Sequence, residues 1–154
     1  MKENGRNNYP QHEFLYNLVV GDGVDNVNAA VERLLFALNF RSKLDGTAYI
    51  KEAIELWYNM PTNTRVVLSS DIYPQVATRL HSTAERVERS IRNALHDCYA
   101  NGKLLLFNDL TQSEVVSTRY APTNGEFISS VVSWLRIQRR EQNRQMSLFK
   151  YIDA

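Results

Sequence analysis

The sequence predicts an all-α fold: a compact multi-helix domain of about six helices containing a helix-turn-helix. It also admits a small hairpin between the last two helices. Three observations carry this expectation. Apolar residues recur at helical spacing along most of the chain. Capping residues stand at the heads of the periodic stretches: Asp25 or Asn26, Ser82 with Glu85, and Thr123 with Glu126. A short segment headed by Tyr73-Pro74 and a longer one headed by Ser82 are joined by a turn that leaves room only for close packing.

Residues 1–11, rich in Asn, Gly and charge, read as loose. Residues 13–20 include Phe14, Leu15, Leu18, Val19 and Val20 and stop at Gly21-Asp22-Gly23; they read as an added strand or a helical turn. A helix then runs from the Asp25 or Asn26 cap to about Asn39, with Val27, Ala30, Val31, Leu34, Leu35 and Leu38 inward. After a loop from Arg41 to Gly46, residues 47–59 form a helix that buries Tyr49, Ile50, Ala53, Ile54 and Trp57. Val66, Val67 and Leu68 are short helix or extended chain, with helix preferred. Pro74 suits the first turn of the next helix, where its missing N–H costs nothing. Val76, Ala77 and Leu80 give that helix an apolar side, with Ala77 small enough for close approach.

The helix from Ser82 to about Asn101-Gly102 is the most informative. Ser82 and Glu85 read as a capping box. At about 100° per residue, Val87, Ile91, Ala94, Leu95 and Cys98 form one stripe facing a core. Glu85, Arg89, Arg92, Asn93 and His96 cluster opposite, with Arg86 at the margin and Glu88 towards the edge. An Arg fork pairs with guanine O6 and N7, worth about 1–3 kcal/mol of discrimination, and a Glu accepts from cytosine N4. A helix, a tight turn and a second helix presenting Arg to solvent is how proteins enter the major groove. The competing reading is a solvated helix laced with Glu85–Arg89 and Glu88–Arg92 pairs. Ala77 and Val87 have the spacing of helix-turn-helix inner contacts. His81 stands where Gly is usual, and Ser90 where an aliphatic residue is expected, with Ile91 one position on.

Beyond it, Lys103 to Phe107 and Glu114 to Thr118 have the character of two short strands that pair as the hairpin. Thr123 with Glu126 opens a last helix, from about Asn124 to beyond Arg136, burying Phe127, Ile128, Val131, Val132 and Leu135. In the tail, Arg139, Arg140 and Arg144 precede Met146, Leu148, Phe149, Tyr151 and Ile152. This is a basic helix approaching DNA backbone, a dimerisation or partner-binding tail, or an extra helix packed on the protein's own surface. The organisation reads as an N-terminal extension (1–24), a DNA-binding domain (25–138) and a C-terminal tail (139–154).

The run from Thr83 to Ala94, Thr-Ala-Glu-Arg-Val-Glu-Arg-Ser-Ile-Arg-Asn-Ala, resembles the DNA-binding effector domain of the stage zero sporulation protein A family. Tyr49 to Ile54 is similar to that family's second helix, Pro122 to Ile128 to the start of its last, and Tyr73-Pro74 to its scaffold helix. The resemblance spans roughly Val27 to Gln138. It implies about six helices around a helix-turn-helix that binds short repeated boxes of double-stranded DNA as a tandem homodimer. It also implies that Arg86, Glu88 and Arg89 contact bases, and that Ser82, Thr83, Arg92 and Asn93 contact the DNA backbone or flanking positions. His96, on the outer face, is either a further donor to DNA or a bystander. In the family, surfaces corresponding to the region between Gly102 and Tyr120 help contact RNA polymerase, a further partner. The family's full regulator carries a phosphorylated receiver domain. Fewer than thirty residues precede Val27, so this chain reads as acting without a phosphoacceptor domain.

Composition sets the bounds. The 154 residues, 44% hydrophobic, suit one domain. No apolar run approaches a membrane span, and the Met1-Lys2-Glu3 start lacks a signal peptide's apolar core. Cys98, the only cysteine, lies on the buried stripe, as suits a reducing cytoplasm. Net charge is only +1, but residues 61–154 carry twelve basic and nine acidic side chains against six and eight in residues 1–60. This small local excess predicts a shallow salt dependence per protomer, at about −0.9 per neutralised phosphate.

His12, His81 and His96 lack companions at metal-ligand spacing, Gly21-Asp22-Gly23 lacks the context of a phosphate loop, and no nucleophile motif occurs. No cofactor is implied, and the reading is not of an enzyme. The leading expectation is a cytoplasmic, sequence-specific DNA-binding transcription regulator reading the major groove through residues 83–100. The alternative is an interaction module that forms mixed dimers with, or inhibits, a related regulator through its tail. RNA binding is weaker, because no aromatic platform is visible.

Overall fold

The computed structural model describes residues 8–21 and 23–153, so the expected loose segment lies outside the described residues up to residue 7. The described chain forms seven α-helices: α1 (His12–Val20), α2 (Val27–Ala37), α3 (Asp45–Tyr58), α4 (Tyr73–Arg79), α5 (Ala84–Asn101), α6 (Leu106–Thr111) and α7 (Asn124–Asp153). A π-helical turn, Leu68–Ile72, runs directly into α4. No strand occurs among the described residues.

The segment before Gly21 is a helix: Leu15, Val19 and Val20 of α1 are buried, and α1 packs against α2 and α6. Asn26 is the cap of α2, its side-chain oxygen accepting from the Ala29 N–H at 3.1 Å. That helix ends where Asn39 takes a left-handed conformation (φ 63°) and the Phe40 N–H reaches back to the Leu35 carbonyl at 3.0 Å.

Helix α3 starts at Asp45, inside the stretch read as a loop, because Gly46 is a packing residue. A Cβ at Gly46 would sit 2.0 Å from the Ser90 carbonyl oxygen. The absent side chain lets the start of α3 lie on the backbone of α5, and this is where Ser90 stands in place of the expected aliphatic residue. Trp57 is only partly buried and Leu56 joins the core instead. The preference for helix at residues 66–68 holds for Leu68 alone, at the head of the π-helical turn.

The expected hairpin does not form. Leu106–Thr111 is helix α6, which buries Phe107 and Leu110, and residues 114–118 form no strand. The buried Asn108 side chain is the reason. Its Nδ2 donates to the Val116 carbonyl at 2.9 Å and its Oδ1 accepts from the Val116 N–H at 2.8 Å. One amide therefore satisfies both backbone groups that a strand partner would have used.

Helix α7 is one continuous element of 30 residues, about 45 Å long at 1.5 Å per residue. Its first half buries Phe127, Ile128, Val131, Val132, Trp134 and Leu135. No break falls at residue 138. Arg139 donates to the Val24 carbonyl at 3.2 Å, and Gln142 Oε1 accepts from the Val24 N–H at 2.9 Å. Beyond Gln142, residues 143–152 are all exposed, so this end of the tail is not packed on the body. No helix among the described residues is long and apolar enough to cross a membrane.

Candidate nucleic-acid interface

Helices α4 and α5 form the expected helix-turn-helix. Val76, Ala77 and Val87 are buried where the two helices meet. Leu80 is exposed and belongs to the turn. His81 is left-handed (φ 57°), and the Ser82 N–H donates to the Ala77 carbonyl at 2.8 Å. This closes α4 with the bond pattern that usually carries Gly at the position of His81.

That closure corrects the cap. Ser82 is held in the turn, with its Oγ buried and without a hydrogen-bond partner. Thr83 caps α5 instead, its hydroxyl accepting from the Arg86 N–H at 3.2 Å. Glu85 is then the second helical residue, one short of the capping-box position, and its charge faces the positive end of the helix dipole. The box expected at α7 does form: the Thr123 N–H donates to Glu126 at 2.9 Å and the Glu126 N–H to the Thr123 hydroxyl at 3.1 Å.

Val87, Ile91, Ala94, Leu95 and Cys98 are all buried on α5, as its spacing predicts. The opposite face exposes Glu85, Arg86, Arg89, Arg92, Asn93 and His96, with Arg89 pointing most directly away from the core. The two ion pairs proposed along this face are not both present. Glu88 accepts from Arg92 through Oε2. Arg86 and Arg89 make no side-chain hydrogen bond or ion pair among the described residues. Nearby, Arg79 of α4 is held by Glu52 of α3 at 2.6 Å. The surface therefore presents two uncommitted guanidinium groups and a Glu–Arg couple beside them.

Three residues that sequence reasoning did not single out tie helices together, and the first of them positions this surface. Asn124, buried at the start of α7, donates from Nδ2 to the Tyr73 hydroxyl at 3.0 Å and to the Glu88 carbonyl at 3.1 Å. It ties α7 to both helices of the motif at once. The signal was present, since a polar residue at 124 continues the apolar stripe of Phe127 and Ile128 and so needs a buried partner. Arg136 donates to the Trp57, Tyr58 and Met60 carbonyls at 2.9, 3.2 and 2.8 Å, closing the end of α3. Arg33 does the same for α1 through the Val19 carbonyl, at 3.1 and 3.0 Å.

The basic tail is less available than its composition suggests. Arg139 is bound to Val24 and pairs with Asp25 at 3.8 Å, and Arg144 pairs with Glu141 at 2.6 Å. Burial pushes the Cys98 thiol up to about 12, and its Sγ donates to the Leu38 carbonyl at 3.1 Å, which makes it an inert core residue. Burial also raises the Tyr73 hydroxyl above its ordinary value, against the lowering effect of its bond to Asn124. Among the described residues, no group of three His, Cys, Asp or Glu side chains is placed to hold a metal ion.

Compared with known families, residues 31–135 match the model described as sporulation initiation factor Spo0A C terminal. The matched stretch runs from within α2 to within α7 and contains the whole helix-turn-helix.

Proposed function

The chain belongs to the family of sporulation initiation factor Spo0A C-terminal domains, DNA-binding regulators of transcription, and on that premise we propose that it reads double-stranded DNA sequence-specifically by laying α5 in the major groove. One observation carries the proposal above the others. Arg86 and Arg89 are exposed, unpaired among the described residues, and on the face of α5 turned from the core. A guanidinium without a protein partner is free to make the bidentate contact with guanine.

In this reading Arg86, Arg89 and Glu88 contact bases. Glu88 keeps lone pairs for a cytosine amine while holding Arg92, because a carboxylate accepts at about four sites. Thr83, Arg92, Asn93 and His96 contact backbone or flanking positions. Ser82 acts through the turn it closes, since its hydroxyl has no outlet to solvent. Residues 25–138 are the DNA-binding unit. A net charge of +1 favours two protomers in tandem on repeated boxes, because one neutralises few phosphates. In this reading the surface between Gly102 and Tyr120, with Tyr120 exposed, is the one that contacts RNA polymerase. The chain, in this reading, acts in the cytoplasm as a regulator and not as an enzyme.

Selection from random duplex DNA with the purified protein tests the reading. Enrichment of a guanine-containing box, lost when Arg86 and Arg89 are both changed to Ala, is expected. Recovery of unenriched DNA by the unaltered protein would overturn sequence-specific reading and leave the partner-binding alternative.

A further inference from the structure

We infer that the apolar end of α7 seats in the groove between α1, α2 and α6 of a second copy of this chain, each copy lending its tail to the other. The association does not need DNA and does not rest on the reading of α5.

The last turns of α7 spread Met146, Leu148, Phe149, Tyr151 and Ile152 over more than half of the helix circumference, with Ser147 and Lys150 on the remaining side, and the five are from 50% exposed at Leu148 to 83% at Tyr151. So wide an exposed apolar arc at a helix end is built to be covered. The chain also carries an uncovered apolar groove of about 820 Å³, with Phe14 and Leu18 from α1, Phe36 from α2, and Leu105 just before α6. Phe14 and Phe36 there are 65% and 79% exposed. Asp109 and Lys103 both line the groove, and of the two Asp109 is opposite in charge to Lys150 on the tail.

The tail cannot reach the groove of its own chain. It leaves the body beside Tyr16, Val20 and Val24, whereas Phe14 and Leu18 lie on the opposite flank of α1. A straight continuation carries residues 143–152 away, and none of them is buried against the body.

Area favours a reciprocal exchange. With about 150–250 Å² per large aromatic side chain, the tail offers on the order of 500 Å² and the groove about 400 Å². One tail in one groove then covers about 900 Å², below the roughly 1,200–2,000 Å² of a stable interface; two reach about 1,800 Å². The exchange closes on a two-fold axis, as most homodimers do. No residue of α5 lines the groove, so the contact leaves α5 uncovered.

Light scattering after size exclusion, without DNA, tests this. The unaltered protein is expected at twice 17.8 kDa. Phe149→Asp with Tyr151→Asp in the tail, and Phe36→Asp in the groove, are each expected at 17.8 kDa with unchanged helical circular dichroism, since all three side chains are exposed. Phe14→Asp is a second groove variant should Phe36→Asp misfold. Mixing tail and groove variants leaves one intact tail and groove, about half the exchanged area, and is expected to give only weak, concentration-dependent pairing where neither variant alone pairs. A photocrosslinker at position 36 should capture residues 146–152 of another copy. The inference is overturned if the unaltered protein is monomeric at every concentration, or if the groove variants stay dimeric while the tail variant does not, which would mean tails pairing with tails. Capture by the crosslinker of the chain's own residues 1–7, or of a different protein, would overturn it too.

Discussion

Replacing Arg89 with Ala isolates the contact on which the DNA reading rests. Arg89 is exposed, has no side-chain partner among the described residues, and lies on the face of α5 turned from the core. Its removal breaks nothing inside the protein, so unfolding free energy should move by no more than about 0.5 kcal/mol. Loss of a bidentate guanine contact costs about 1–3 kcal/mol on the preferred sequence, which is roughly a 5- to 150-fold weaker Kd. A base contact leaves affinity for scrambled duplex nearly unchanged. A phosphate contact instead weakens both duplexes together and makes the salt slope shallower by about 0.9. Fluorescence anisotropy titrations of the selected box and a scrambled duplex, over a salt series, separate the two outcomes. Equal losses on both duplexes with a shallower slope would refute base reading by Arg89. No loss on either would remove it from the interface.

Asn124→Ala should lower stability by about 1–3 kcal/mol, because it strands the buried Tyr73 hydroxyl and frees the Glu88 carbonyl from α7; an unchanged urea midpoint would show that the tie is not needed. His81→Gly should raise stability by about 0.5–1 kcal/mol, since a left-handed conformation (φ 57°) costs His more than Gly even after Gly's larger unfolded-state entropy. A lower melting temperature would show that the His81 side chain makes a compensating contact. Alkaline pH should destabilise the fold through Cys98 and Tyr73, both held protonated by burial. Their folded values are raised, so this stability is whole below about pH 9. It is lost as the unfolded chain gives up its protons first, on the way up to about 12. Urea midpoints from pH 8 upward should fall less steeply in Cys98→Ala, and parallel curves would contradict the assignment.

Much of the fold was legible because burial is periodic. The five buried residues of α5, a cap for α2 at Asp25 or Asn26 (it is Asn26), Pro74 at the head of α4 and the Thr123–Glu126 box all follow from residue type and local spacing. Reading failed where a distant or adjoining element decided. The cap moved from Ser82 to Thr83 because the Ser82 N–H is used to close the preceding helix. The hairpin was lost to Asn108, whose amide does the work of a strand partner. Gly46 looked like a loop glycine because the backbone of Ser90 that crowds it lies far along the chain.

From the sequence alone came the helices, their inward faces and the cluster of charged residues on α5, since an apolar stripe every three to four residues has one low-energy arrangement. Which of those charges remain free was settled only in three dimensions. Glu88 holds Arg92, Glu52 of another helix holds Arg79, and backbone carbonyls claim Arg136 and Arg139, while Arg86 and Arg89 are left to solvent. Burial of apolar surface is non-directional and can be read from a pattern. An ion pair needs two particular atoms a few ångströms apart, and only the packing of distant segments brings them there.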